Sequence, residues 1–253
     1  MTIHVELQAT IWEPLVELVP FLQEQRRRLS TEQADLRKAL NQSIVFHAAC
    51  IVEGALEQSQ RRLLATRVAY LRQARITEMP DSGYFNRFVL DIEDDLKKRI
   101  SRTTGLQEHL RMIDLLTGSS LSGGEFNNST RETAAVLFQF RNVLAHGRQI
   151  NATSSSGPAT EGEWLRSFSG GYRKVEDYLI KRGMADLRVL RDPDANNAED
   201  AIAELFEDSV ADHFWAGALN LFAEISQALD ASPELRLVFD EAVSLLLPAG
   251  SGT

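Results

Sequence analysis

Cysteine is almost missing from this chain: Cys50 is the only one in 253 residues. One thiol excludes a disulfide within the chain and any zinc site built on several cysteines. Proline and glycine are sparse, at 7 and 15, and strand-like alternation of apolar and polar residues is hard to find. No uninterrupted apolar run approaches the roughly 18 to 20 residues that a bilayer crossing requires. The opening residues carry Glu6 and Glu13 and lack a basic stretch leading into an apolar one, so they do not read as a signal peptide. No glycine-rich phosphate loop, HExxH, GxSxG or paired-cysteine motif occurs. Nucleotide hydrolysis, zinc proteolysis and serine hydrolysis therefore lose their usual support. The default expectation is a cytoplasmic protein with no membrane contact, no cofactor and no bound metal.

What is present is ordinary for a globular chain: 43% hydrophobic and 25% charged residues, enough for one large domain or a domain with an appendage. The net charge of −9 is unevenly spread. Between Asp192 and Glu241 stand 13 acidic residues and one basic residue, Arg236, leaving the rest of the chain at +3. A mildly basic body joined to an acidic C-terminal part is compatible with a nucleic-acid partner.

Helical signals dominate. Ser30 to Gln33 has the form of a capping box, and behind it Leu40, Ile44, Ala48, Ile51 and Ala55 keep helical spacing to about Ile76. Met79 to Gly83 reads as a turn. A helical pattern resumes at Phe85 and runs to about Leu116, with a break near Thr104-Gly105, and Leu121 to Gly124 reads as loop. Ser129 to Glu132 has the form of a second capping box and opens a helix expected to stop at Gly147, a residue suited to the left-handed position after a helix. Residues 151–171 are the most linker-like stretch and are expected to form a flexible loop. A short helix from Tyr172 to about Arg182, a long one from Ala198 to Leu229 and a last one opened by Ser232-Pro233 complete the pattern. The expected fold is all-α: a helical bundle over residues 1–191 that contains the motif helix at about 130–147, with acidic helices over 192–253 packed on it.

The helix from Thr133 to Gly147 has one fixed charge, Arg141. Val136, Leu137, Phe140, Val143 and Leu144 form an apolar stripe, while Phe138, Arg141, Asn142 and Ala145 take much of the opposite side. Both faces are expected to be covered, by the fold or by a second subunit. A charge in such a place needs an acid, a phosphate or a water-filled cleft, because desolvating an unpartnered ion costs several kcal/mol. Asn142 and His146 lie about 40° apart around a helix and share a polar strip. Arg141 and His146 lie about 140° and roughly 7.5 Å apart. They converge only if His146 sits on a fraying last turn or a second chain completes the site.

The run Arg141-Asn142-Val143-Leu144-Ala145-His146 resembles the Arg-X(4–6)-His signature of HEPN domains, in which a polar residue, often Asn, follows the arginine. The resemblance is carried by residues 130–148, with the helical layout as support. It implies a HEPN-type bundle with extra N- and C-terminal helices and one long insertion, and active-site roles for Arg141, Asn142 and His146. It further implies a homodimer in which two motifs line one cleft, and metal-independent RNA cleavage. A role as a toxin or defence effector, restrained by a cognate antitoxin or other regulatory protein, also follows from the resemblance. Some members extend the motif to His-X-Tyr and are modified on that tyrosine; here Arg148 stands in its place and adds a cation instead.

The residue types suit the chemistry. Attack by a ribose 2′-hydroxyl needs a base, an acid for the departing 5′ oxygen and positive charge on the phosphate. Histidine titrates in the useful range, and the arginine fork binds two phosphate oxygens. Asn142 can orient His146 or bind substrate. Glu53 and Glu57, spaced one turn apart with His47 and Cys50, are candidate partners for Arg141 rather than metal ligands.

Other readings of the same residues remain open. Arg141 and His146 also fit a helix terminus with a buried ion pair and a capping histidine, or a non-catalytic HEPN module that binds RNA, nucleotide or protein. The runs Arg26-Arg27-Arg28, Arg61-Arg62 and Lys97-Lys98-Arg99 are either phosphate contacts or solvated faces. Asp212 to Trp215 reads as core or interface.

Overall fold

The computed structural model describes residues 11–78, 83–123, 127–145, 152–156, 164–168, 171–185, 189–190 and 205–247. The fold is all-α apart from one small sheet. Helices α1 (Glu13–Arg27), α2 (Ala34–Glu78), α3 (Gly83–Ile100), α4 (Leu106–Thr117) and α5 (Asn128–Ala145) precede strands β1 (Ala152–Ser156) and β2 (Trp164–Phe168). Helix α6 (Gly171–Lys181), strand β3 (Val189–Leu190) and helices α7 (Asp208–Ala228) and α8 (Pro233–Ala242) follow.

The chain groups into two compact units. The first gathers residues 1–18, 51–126 and 222–253; the second gathers 19–50 and 127–221. The boundary expected at 191 falls outside the described residues, and compactness divides the chain differently, with α1, α2 and α7 each contributing to both units.

In the first unit the core begins with the α2 positions Ile51, Val52, Ala55, Leu56, Leu63 and Leu64, all buried. Their pairwise recurrence makes a broad apolar stripe at helical period. Ser59 and Gln60 share this stripe, and Gln60 donates from Nε2 to the His109 carbonyl at 2.9 Å on α4. Trp12 lies over Gly54: a Cβ there would meet Trp12 Cβ at 2.9 Å, and the indole N–H donates to Gln58 at 2.5 Å. The break predicted near Thr104-Gly105 is present, with Gly105 in extended conformation at the start of α4. Gly118 ends α4 at φ +77, a left-handed value that favours glycine. Beyond it the Asp114 carboxylate accepts the Leu121 and Ser122 N–H groups at 2.6 and 2.8 Å.

One 18-residue window between Thr31 and Gln73 is long and apolar enough to cross a membrane, with mean hydropathy 1.3. Half of it is buried within the protein, as a core helix would be. Asn41, His47 and Gly54 interrupt the apolar character of this stretch, so no continuous run stands out in the sequence.

In the second unit Phe140 is the centre of the core. Phe206 stacks on it at 5.2 Å, with Phe214 and Tyr172 edge-on at 5.7 and 6.4 Å. Each such side chain contributes about 1.5 to 3 kcal/mol through burial, and aromatic pairing adds to it. Arg26, 3% exposed, donates to both Asp212 carboxylate oxygens at 2.9 and 2.7 Å and to Asn41 at 2.8 Å. Arg37 adds a bond to Asp208 at 2.9 Å. Two acids of the segment after Asp192 are thus tied to cations of the same unit.

Several expectations change. Helix α1 contains Pro20, which removes one internal hydrogen bond and hides the helical pattern from the sequence. The helix predicted from Ala198 to Leu229 is interrupted by a turn at Leu205 and Phe206, after which α7 runs from Asp208 to Ala228, while residues 198–204 lie outside the described residues. Asn127, not Ser129, caps α5: its side-chain oxygen accepts the Ser129 N–H at 2.9 Å. Glu132, expected in the capping box, instead meets Lys181 at 2.7 Å and Arg182 at 3.3 Å. The loop expected at 151–171 contains β1 and β2, paired antiparallel from Ala152 opposite Phe168 to Ser156 opposite Trp164, with β3 beside β2.

Candidate active site on the motif helix

Helix α5 carries the motif because one side of it is bound into the second unit. Thr130, Thr133, Ala134, Leu137, Phe138, Phe140 and Val143 are buried. The expectation that both faces are covered does not hold within the protomer: Ala135, Asn142 and Ala145 are exposed. The aromatic core of this unit accounts for the buried side, and the exposed side carries no large apolar residue that demands cover.

Arg141 sits at the margin between these sides, half-buried, with its guanidinium carbon 5.9 Å from the centre of the Phe138 ring. Phe138 stands one turn earlier and is 4% exposed, so it gives the cation a fixed aromatic face. Arg141 Nε is buried away from water. Asn142, the next residue, turns to solvent. The last described turn therefore presents an arginine set against an aromatic ring beside an amide exposed to solvent. His146 and Arg148 lie outside the described residues, immediately beyond Ala145, and so does Gly147.

The start of α6 returns to the motif. A Cβ on Gly171 would lie 2.5 Å from Val143 Cγ2 and 2.6 Å from Gln139 Nε2. Only glycine lets the two helices approach this closely. The 152–168 hairpin thus follows α5 and leads into a helix that rejoins it at Val143, inside the motif.

Glu53 and Glu57 belong to α2 and to the first unit. Glu57 accepts from Arg61 Nη2 at 2.8 Å, one turn along its own helix. Glu53 is half-buried and engaged. His47 meets the Ser43 carbonyl through Nδ1 at 2.6 Å, and Cys50 is half-buried. Of the arginine run at 26–28, Arg26 is buried in its ion pairs, while Arg27 and Arg28 are exposed and meet Glu24 at 3.4 and 3.1 Å.

A buried polar chain behind α5 has no signature in the sequence. Thr133 Oγ1 and Tyr178 Oη lie 2.6 Å apart, and Tyr178 Oη and His213 Nε2 lie 2.6 Å apart. Thr133 donates its own proton to the Ser129 carbonyl at 2.8 Å. The consistent arrangement therefore has a neutral His213 donating from Nε2 to Tyr178, and Tyr178 donating to Thr133. Burial holds the His213 pKa below its ordinary value, with the Arg182 charge adding to the effect. Burial also raises the Tyr178 hydroxyl. A Cβ on Gly217 would strike Thr133 Cγ2, so α7 packs directly on this chain. The two links span 45 and 35 residues, beyond the reach of any local motif.

No protein-family model, curated protein or solved structure matches this chain.

Proposed function

We propose that this chain is a HEPN-type endoribonuclease that cleaves RNA by 2′-hydroxyl attack without a metal ion. The observation that carries the reading is the end of α5: Arg141 is restrained against Phe138 beside an exposed Asn142, which stands four residues before His146. In the proposed reaction the 2′-oxygen bonds to phosphorus as the bond to the 5′-oxygen breaks. One general base removes the 2′ proton and one general acid delivers a proton to the leaving oxygen. His146 performs one of these transfers, and Arg141 neutralises the phosphate oxygens. The products are a 2′,3′-cyclic phosphate and a free 5′-hydroxyl.

A second copy supplies the other motif. The exposed Asn142 and Ala145 face of α5 supports this, since a dimer through that face brings two arginine–histidine sets together. The protein works in the cytoplasm under the restraint of a regulatory partner. The net charge of −9 favours a second reading, a non-catalytic module that binds RNA, nucleotide or protein.

The test is cleavage of single-stranded RNA in EDTA, with a matched strand carrying one deoxyribose at the cut position. Cleavage in EDTA to a cyclic phosphate, blocked by the deoxyribose, supports the nuclease. Loss of cleavage in EDTA, or cleavage of the deoxy-substituted strand, contradicts it.

A further inference from the structure

We propose that an open groove between the end of α3 and the outer face of α4 binds a nucleoside phosphate, either as a free nucleotide or as one unit of a strand. This site stands on its own residues and would hold even if the motif helix were inactive.

The groove has a volume of about 430 Å³, within the usual range for small-molecule sites. Helix α4 is two-sided. Leu106, Leu110, Ile113 and Leu116 are buried, while Glu108, Arg111, Met112 and Leu115 recur at helical spacing on the side that lines the groove. Leu115 is 65% exposed, a large apolar side chain left open to water at the groove wall. Arg99 and Arg102 enter from the end of α3.

The three arginines are not equivalent. Arg99 meets Asp95 at 2.9 Å. Arg102 and Arg111 are exposed and make no ion pair among the described residues. Three other arginines of this unit are committed: Arg61 to Glu57, Arg72 to Glu93 and Arg236 to Asp230 and Asp240. Two uncommitted guanidiniums on one groove suit a phosphate, which a planar fork binds through paired oxygens. Met112 and Leu115 offer the apolar wall on which a nucleobase lies, and Glu108 can accept from a base amine or ribose hydroxyl. An acidic peptide would use the arginines but leave Glu108 as a repulsion.

Arg61 donates to Ser101 Oγ at 2.7 Å, which sets the Arg61-Arg62 pair beside the Lys97-Lys98-Arg99 run. Two stretches that read separately in the sequence are neighbours here, but Lys97, Lys98 and Arg99 each pair with an acid of α3, at Glu93, Asp94 and Asp95, so Arg102 and Arg111 carry the phosphate contact.

The test is binding to the full-length chain, measured with two probes that 2′-hydroxyl chemistry cannot consume. A fluorescent 2′-O-methyl decaadenylate reports the strand, by anisotropy, and AMP reports the free nucleotide, by calorimetry. Arg102→Glu with Arg111→Glu should weaken whichever probe binds by at least about tenfold, and should lower the strand's salt slope by about 1.4. Leu115→Ser should weaken binding too, which a purely electrostatic surface would not show. All three positions are exposed, so circular dichroism should be unchanged. Binding of the strand alone assigns the source as nucleic acid, and binding of AMP assigns it as free nucleotide. Failure of both probes, or equal binding by the double variant, would overturn the proposal. So would displacement by poly-glutamate as effective as by unlabelled strand, which would indicate an acidic protein partner.

Discussion

Arg26 shows how this chain accommodates a cation away from water, with two carboxylate oxygens and one amide closing on a side chain that is 3% exposed. Arg141 is held differently, half-buried over an aromatic ring at the open edge of α5. The first arrangement is a buried structural ion pair, while the second sets the guanidinium against the Phe138 ring. His213 offers a residue-level test of the buried polar chain. Its folded pKa is depressed, so the unfolded state binds the proton more readily. The stability that the neutral ring contributes is complete above its unfolded pKa, near 6.5, and is lost as pH falls through the lower folded value. Thermal melts between pH 7.5 and 5.5 should show wild type losing stability toward acid. His213→Gln, which retains an N–H donor for Tyr178, should flatten that slope. An unchanged slope in the variant would show that the ring is not the titrating group.

Among the elements, the contact of α5 with α6 is the tightest point next to the motif. Gly171→Ala places a methyl 2.5 Å from Val143 Cγ2, and overpacking of this kind costs about 1 to 3 kcal/mol. Gly123→Ala, whose Cβ would meet only Ser120 at 3.5 Å, is the control and should change stability little. Equal urea midpoints for the two variants would contradict the packing described. The helices α2 to α6 and α8 are legible in the sequence because apolar spacing and the residues that break it agree locally, as at Gly105. The hairpin is not, because the polar run from Thr153 to Ser156 reads as loop while its pairing with residues 164–168 is non-local. Nor is the Arg26–Asp212 pairing, which joins residues 186 apart. At the site, helical spacing places Arg141 and Asn142 on the last turns of a helix, and the structure agrees. Phe138 and Arg141 share one side of the helix in the sequence reading, and the structure adds that the ring is buried beneath the guanidinium.

For the whole molecule, the proposed self-association would pair the exposed Asn142 and Ala145 ends of two α5 helices. The acidic segment is partly occupied, with its Asp208 and Asp212 facing Arg26 and Arg37 of the second unit. Apolar Phe88, Leu90 and Ile92 are exposed on α3. Sedimentation equilibrium should give twice the protomer mass of 28.3 kDa, and a monomer mass independent of concentration would contradict the paired site. The central claim, that the motif on α5 performs RNA cleavage, rests most directly on one side chain. His146→Ala, with its fold verified by circular dichroism, should cleave the same RNA about 10² to 10⁴ times more slowly than wild type, the scale for losing a general acid or base. A variant that cleaves as fast as wild type would contradict the account.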